Sequence, residues 1–286
     1  MRITYFFTML LILASCKKSD VVNGNNIGTN PAIAESVKNI SYGADGLQKM
    51  DIYLPANRSL ASTKVLFLIH GGGWNEGDKA DFSSSVAGIQ SNLADYAIIN
   101  LNYRLVANNQ NLFPTQENDV KAAVDFVYAN RNVYFISDKW VFLGASAGGH
   151  LALLQSYKYN SPVKPKAVIS FFGPTDLTAL YNSNNPVISL LLLGVTGTIP
   201  SVNPTLYQQS SPVTFVTAQS PPTILLQGGA DPLVPPSQST LLIDKLNSAG
   251  VINQYVFYPT EGHGWTGPDF LDSFNKINAF LEANVK

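Results

Sequence analysis

The sequence has little of several residues that point to particular kinds of protein. Its 286 residues include one cysteine and three histidines, and only 13% are charged. A single cysteine cannot staple the fold through an internal disulfide. The formal net charge is −1 and the one lysine/arginine cluster is Lys17-Lys18, so nothing in the charge distribution favours a nucleic-acid partner. What remains is an ordinary globular composition, with enough chain for one large domain.

The N-terminal residues resemble an export signal. Arg2 precedes an apolar run at 3–13, which is too short to span a membrane, and small residues follow it. The segment Leu-Ala-Ser-Cys at 13–16 also resembles the bacterial lipobox, in which cleavage before the cysteine follows its lipidation. We therefore expect residues 1–15 to be a lipoprotein-type signal peptide, with the exported protein held at the cell envelope by a lipid on Cys16. A simple cleaved signal is the alternative, and it also implies export.

Residues 16–38 are polar and rich in asparagine, glycine and serine, and they show no hydrophobic periodicity. Such a segment cannot bury enough apolar surface to fold by itself. We expect a flexible tether here, followed by one folded domain at 39–286.

The rest of the chain alternates short apolar runs with helical patterns. Two β-like pieces flank Gly43-Ala44-Asp45-Gly46, which favours an antiparallel hairpin. The later runs are continuously apolar, as in strands that are covered on both faces of a parallel sheet. The predicted strands are 39–42, 49–54, 64–69, 96–101, 139–143, 166–172, 223–227 and 254–258. This order predicts an α/β fold with a mostly parallel central sheet of about eight strands, an antiparallel N-terminal hairpin and helices on both faces.

The pattern loosens between residues 176 and 222, where asparagine, proline and serine surround one apolar patch at 187–193. Long insertions of this kind are usually lids or walls of a binding site. We interpret this segment as a cap-side insertion, with a helix packed on the sheet as the alternative for the apolar patch.

Ser146 lies in Gly144-Ala145-Ser146-Ala147-Gly148, between a predicted strand and a predicted helix. This arrangement fits the G-x-S-x-G nucleophile elbow, in which glycines on both sides let the strand and helix approach at a sharp turn. The motif alone is weak, because a chain of this composition contains it by chance about 0.13 times. Ser146 is therefore a candidate nucleophile that needs partners.

A serine hydroxyl requires a base, and the base requires an orienting acid. His263 follows the last predicted strand between two glycines, so we predict that it is the general base. His70 and His150 have better structural explanations, before a triple glycine and one helical turn after the serine. Asp231 follows the predicted strand 223–227 and is our predicted acid, with Asp176 as its rival.

The triple glycine at 71–73 is the candidate site for stabilising the negatively charged oxygen that forms in the reaction. It follows a buried strand, and its backbone N–H groups have no side chain in the way of a negatively charged oxygen. The N–H of Ala147, directly after the nucleophile, is predicted to join them. The predicted chain order is serine, then acid, then histidine, as in α/β-hydrolases.

These motifs together resemble the α/β-hydrolase superfamily, in particular its His-Gly-Gly-Gly carboxylesterases of the hormone-sensitive-lipase-like type and polysaccharide acyl esterases. The resemblance implies that Ser146 attacks an ester carbonyl, with His263 as base and Asp231 holding it. It implies an oxyanion hole formed by Gly72, Gly73 and Ala147, with the N–H of Trp74 as a further donor. It also implies that no metal or cofactor is needed.

The predicted function is therefore a serine carboxylesterase that acts through an acyl-enzyme on a small-molecule or oligosaccharide ester. The polar segment before the sheet replaces the helical cap of many hormone-sensitive-lipase-like members, and a more open site suits bulky esters such as acetylated or feruloylated polysaccharides. Arylformamidase or peptidase activity would use the same residues. An inactive binding protein is the non-enzyme alternative, although no member of the serine, acid and histidine set is missing.

Overall fold

The computed structural model describes residues 27–286, which form an eight-stranded sheet with the order β1-β2-β4-β3-β5-β6-β7-β8. Strands β1 and β2 are antiparallel, as are β2 and β4, while all other neighbours are parallel. The strands are β1 Glu35–Ser41, β2 Lys49–Leu54, β3 Lys64–Ile69, β4 Tyr96–Leu101, β5 Trp140–Ala145, β6 Ala167–Phe171, β7 Thr223–Gly228 and β8 Asn253–Tyr258. The predicted fold class, including the antiparallel hairpin, is confirmed.

Helices cover both faces of this sheet because its central strands are apolar on both sides. Along β3, Phe67 and Ile69 belong to one hydrophobic cluster, while Leu66 and Leu68 belong to the other. The helices are α1 Ser83–Asn92, α2 Thr115–Ala129, α3 Arg131–Tyr134, α4 Ala147–Lys158, α5 Leu177–Tyr181, α6 Pro186–Thr196, α7 Pro204–Gln209, α8 Pro236–Ser248 and α9 Gly267–Asn284. Residues of α2, α4 and α8 contribute to the first cluster, and residues of α1 and α9 to the second.

The folded domain begins earlier than the predicted boundary at residue 39. Ile27 is only 2% exposed and belongs to the first hydrophobic cluster. The Glu35 carboxylate accepts from the Gly28 N–H at 2.9 Å and pairs with the buried guanidinium of Arg58 at 2.6 Å. The predicted tether is therefore wrong for residues 27–38, because the buried Ile27, the ion pairs of Glu35 and Lys38, and the pairing of β1 with β2 hold a segment whose composition is otherwise polar.

The predicted signal peptide at 1–15, the lipidation site Cys16 and the first part of the tether lie outside the described residues. Within 27–286, no helix combines the length and apolar character that a membrane crossing requires.

The segment 176–222 folds as α5, α6, α7 and a 3₁₀ turn at Pro212–Phe215. Asparagine side chains cap two of these helices: Asn185 accepts from the N–H of Val187 at 3.1 Å, and Asn203 from that of Leu206 at 3.0 Å. The apolar patch forms α6, which packs against α5 and presents one side to a cavity above the sheet. Its other side carries Leu190, which is 69% exposed.

Candidate active site

Ser146 occupies the sharp turn between β5 and α4. Its backbone has φ 54° and ψ −122°, a conformation that is strained for a residue with a side chain. A methyl group at Gly144 would lie 2.1 Å from the carbonyl oxygen of Gly148, and one at Gly148 would lie 2.0 Å from that of Ile69. The two glycines thus permit the close approach that the elbow requires, and the turn holds the serine hydroxyl above the carboxyl edge of the sheet.

The side chain of His263 joins Ser146 to Asp231. Its Nε2 lies 2.9 Å from Ser146 Oγ, and its Nδ1 lies 2.8 Å from Asp231 Oδ2. Because the carboxylate only accepts, Nδ1 carries the proton and Nε2 is left to accept from the serine hydroxyl. The loop that brings the ring here follows β8, and the ring of Phe172 packs beside it with centroids 4.5 Å apart.

Asp231 is buried, and both of its carboxylate oxygens accept hydrogen bonds that hold it in place. Oδ1 accepts from the N–H groups of Leu233 and Val234, each at 2.9 Å, and Oδ2 receives the histidine and, at 3.3 Å, Gln227 Nε2. These contacts hold the carboxylate that fixes the histidine ring. Sequence reasoning missed Gln227, although a glutamine at the end of the otherwise apolar strand β7 is a detectable signal.

The other candidates lie elsewhere. Asp176, the rival acid, caps α5 by accepting from the Ala179 N–H at 2.9 Å. His150 is fully buried: its Nε2 donates to the Ser210 carbonyl at 2.7 Å and its Nδ1 accepts from the Trp74 indole at 3.3 Å. Burial lowers the pKa of His150 to about 4, which keeps the ring neutral. Both residues therefore serve local structure.

The glycine loop after β3 adopts positive φ at Gly72 (94°), Gly73 (54°) and Trp74 (62°). A methyl group at Gly71 would lie 3.3 Å from Ser146 Cβ, so the loop passes directly beside the serine. Among the described residues, the N–H groups of Gly72 and Gly73 donate to no protein acceptor. The loop thus offers free donors next to the serine hydroxyl.

Two side chains hold this loop from below. The Tyr103 hydroxyl donates to the carbonyl oxygens of His70 at 2.9 Å and Gly71 at 3.0 Å, and His70 Nδ1 donates to that of Gly71 at 2.8 Å. The two rings stack with centroids 4.2 Å apart. Burial lowers the pKa of His70, which favours the neutral ring. The remaining predicted donor, Ala147, is the first residue of α4, where backbone N–H groups lack an intrahelical partner.

A cavity of 660 Å³ lies above the serine. The histidine and the glycine loop form its floor, and apolar side chains form its walls, among them Ile188 and Leu191 of α6 and Leu233. Among residues 27–286, the charged residues that line it are Glu76 and Asp81, and no lysine or arginine does so. Within residues 27–286, no group of three or more histidine, cysteine or acidic side chains is arranged to hold a metal ion.

This wound sheet, with its serine after β5, acid after β7 and histidine after β8, defines an α/β-hydrolase. The chain belongs to the BD-FAE family, whose model matches residues 50–246.

Similar proteins agree with this class. The probable carboxylic ester hydrolase LipM of Mycobacterium tuberculosis is 32% identical over 77% of this chain and 53% of its own length. The chain therefore spans about half the length of LipM. A truncated carbohydrate esterase from gut microbiota superposes with a TM-score of 0.75 at 24% identity, over 88% of this chain and 97% of that one. A bifunctional GH43-CE protein of Bacteroides eggerthii gives a TM-score of 0.72 at 28% identity, over 85% of this chain and 38% of that one.

Proposed function

We propose that this protein is a serine carboxylesterase that works through an acyl-enzyme intermediate. The observation that carries the proposal is the continuous relay of two hydrogen bonds, 2.9 Å and 2.8 Å long, from Ser146 through His263 to Asp231. The name of LipM, a probable carboxylic ester hydrolase, supports esters as the substrate class.

In the first half of the reaction, Ser146 Oγ attacks the acyl carbon while its proton passes to His263 Nε2. The carbonyl oxygen becomes an oxyanion, which on this proposal accepts hydrogen bonds from the N–H groups of Gly72, Gly73 and Ala147, with that of Trp74 as a further donor. Each such donor commonly lowers the barrier by about 3 kcal/mol. When the intermediate collapses, the alcohol leaves with the proton from His263, and the acyl group stays on the serine.

In the second half, water attacks the acyl-enzyme and gives its proton to the same histidine. The second tetrahedral intermediate collapses, the acid leaves, and the serine hydroxyl regains its proton. Asp231 stays ionised throughout, keeping Nδ1 protonated and stabilising the positive ring that forms in each half.

A fluorophosphonate probe tests the nucleophile, because it forms a covalent bond only with an activated serine. We expect the wild-type protein to be labelled and to hydrolyse short-chain aryl esters, while Ser146→Ala shows neither. A Ser156→Ala variant changes another serine, buried in α4, and serves as the matched control. Equal labelling of the wild-type and Ser146→Ala proteins would contradict the assignment.

We further propose that the natural esters are acetyl or feruloyl groups on polysaccharides. The similarity to the bifunctional GH43-CE protein of Bacteroides eggerthii and to the carbohydrate esterase from gut microbiota supports this class. The wide cavity, which has apolar walls and no lysine or arginine from the described part of the chain, suits an uncharged acyl group. Release of acetate from acetylated xylan, or of ferulate from feruloylated oligosaccharides, is the expected result. If the enzyme cleaves only free short-chain esters, the polysaccharide assignment fails.

The resemblance of the N-terminal residues to an export signal supports a proposal on location. We propose that the protein is lipidated at Cys16 and held at the bacterial cell envelope. Processing should be sensitive to globomycin, and Cys16→Ala should release the protein from the membrane fraction. Unchanged membrane association of that variant would contradict the lipid anchor.

A further inference from the structure

A groove of 490 Å³ continues outward from the active-site cavity along the exposed side of α6. Asn75, Val187 and Leu191 line both spaces, so the groove adjoins the cavity above Ser146. Its size is within the range of small-molecule binding sites. Part of a substrate that projects from the cavity at this end would enter it.

The two walls of this groove differ in chemistry. One wall is the outer side of α6, where Val187 is 66% exposed and Leu190 is 69% exposed. The facing wall carries the carboxamides of Asn75, Asn108 and Asn109. None of these three side chains makes a hydrogen bond to a protein group in residues 27–286.

The amide wall is held in shape by its backbone. Ala107 and Gln110 exchange N–H to carbonyl hydrogen bonds of 3.3 and 2.8 Å, and they close a tight turn. Asn108 and Asn109 are its central residues, with φ of 50° and 61°. Positive φ at both central positions is typical of a type I′ turn, which is a rigid support for two side chains.

We propose that this groove binds the sugar chain of the substrate, an uncharged oligosaccharide that extends from the ester-bearing residue. A pyranose offers apolar C–H faces, which would pack on Leu190 and Val187, and hydroxyl groups, which would exchange hydrogen bonds with the free amides. The proposal rests on the proposed function. It assigns recognition of the alcohol part of the ester to this groove.

Other occupants fit these walls less well. A long acyl chain would strip water from three amides and give them no hydrogen bond in return, which is costly. An anionic ligand would find no lysine or arginine among the described residues that line the groove. An oligosaccharide satisfies both walls at once.

The test compares a small ester with esters of increasing sugar length. Rates are measured on 4-nitrophenyl acetate and on singly acetylated xylose, xylobiose and xylotetraose. The double variant Asn108→Gly/Asn109→Gly removes both carboxamides, and glycine adopts the positive φ without strain. We expect kcat/KM for acetylated xylotetraose to fall about tenfold, as for the loss of one or two neutral hydrogen bonds, with 4-nitrophenyl acetate unchanged.

Asn57→Gly is the matched control, because Asn57 also has positive φ (58°) and an exposed side chain but does not line the groove. Wild-type kcat/KM should increase with sugar length, and that increase should disappear only in the double variant. Equal losses on all substrates, or no loss on acetylated xylotetraose, would overturn the proposal.

A binding measurement separates this proposal from the proposed function. Calorimetric titration of the Ser146→Ala protein with unacylated xylotetraose needs no catalysis, and the double variant in this background should bind more weakly. If the wild type cleaves 4-nitrophenyl acetate but xylotetraose does not bind, the esterase stands and the groove proposal falls. A Leu190→Asp variant that selectively loses long-chain acyl esters, or that dissociates a dimer in light scattering, would also overturn it in favour of an acyl chain or a second copy.

Discussion

The Tyr103 hydroxyl lies 3.0 Å from the carbonyl oxygen of Gly71, on the far side of the peptide unit that carries the N–H of Gly72. In a trans peptide the C=O and N–H groups point in opposite directions, so holding this carbonyl from below fixes the direction of the N–H above it. A carbonyl that accepts a hydrogen bond also polarises the N–H of its own peptide unit. Tyr103 thereby orients the first donor of the proposed oxyanion hole.

Removing this hydroxyl should therefore lower kcat more than it raises KM. We expect Tyr103→Phe to lose about fivefold in kcat, because one neutral hydrogen bond is worth about 1 kcal/mol. Tyr42→Phe is the control, since that buried hydroxyl donates to the Asn102 carbonyl, away from the cavity lining. Steady-state kinetics on one ester decide the matter, and equal changes in both variants would assign Tyr103 a purely structural role.

Variants of Asp231 and Asp176 should distinguish the proposed catalytic acid from a helix-capping residue. Asp231→Asn should lower kcat by about 10⁴-fold, as in the serine proteases, because the amide favours the wrong histidine tautomer. Asp176→Asn should keep kcat near the wild-type value and cost at most about 1 kcal/mol in unfolding free energy, because asparagine also caps helices. Kinetics and urea unfolding of both proteins test this pair, and an inactive Asp176→Asn protein with an active Asp231→Asn protein would reverse the roles.

The elbow glycine Gly148 is predicted to tolerate no side chain. A methyl group there meets the Ile69 carbonyl at 2.0 Å, so Gly148→Ala should lower the unfolding free energy by about 1–3 kcal/mol and abolish ester hydrolysis. Gly88→Ala in α1 meets no heavy atom within 4 Å and should stabilise the protein by about 0.5–1 kcal/mol. Urea unfolding compares them; an active, unimpaired Gly148→Ala protein would contradict the packing described for the turn.

The buried His150 makes stability depend on pH. Its pKa is lowered to about 4 in the folded protein, so the unfolded chain binds the proton first as pH falls. Its contribution to stability is present at pH 7 and decreases as pH falls from about 6.5 towards 4. Urea unfolding between pH 7 and 4 should therefore show a shallower loss in His150→Gln, and identical slopes would count against this assignment. His70, whose pKa is also lowered, contributes in the same direction to both proteins.

The corrected start of the domain can be measured directly. Ile27→Ala should cost about 2–5 kcal/mol, because it removes buried atoms from the first hydrophobic cluster. Ile33→Ala is the matched control, because Ile33 is 53% exposed and should change the unfolding free energy by less than about 0.5 kcal/mol. Similar midpoints of urea unfolding for both variants would restore residue 39 as the boundary.

The sequence patterns predict the features that depend on residues close to one another in the chain. The continuous apolar strands predicted the sheet, and the serine and histidine candidates are joined in space because parallel strands end at one edge. The start of β1 was missed because its support comes from Arg58 and from a core that only the folded chain assembles. The same holds for Gln227 and Tyr103, whose roles depend on which backbone groups lie within reach, and periodicity contains no information on that.

The insertion that carries α6 enters the chain between β6 and β7, whereas Ser146, Asp231 and His263 sit on turns that leave β5, β7 and β8. The exposed positions of α6, such as Val187 and Leu190, lie on a segment separate from these turns, whereas Leu192 and Val195 are buried in the first hydrophobic cluster. The proposed choice of substrate and the proposed bond cleavage thus depend on different segments of one chain. An engineer who wishes to change the proposed substrate preference should therefore vary the exposed positions of 186–196 and keep the buried Leu192 and Val195.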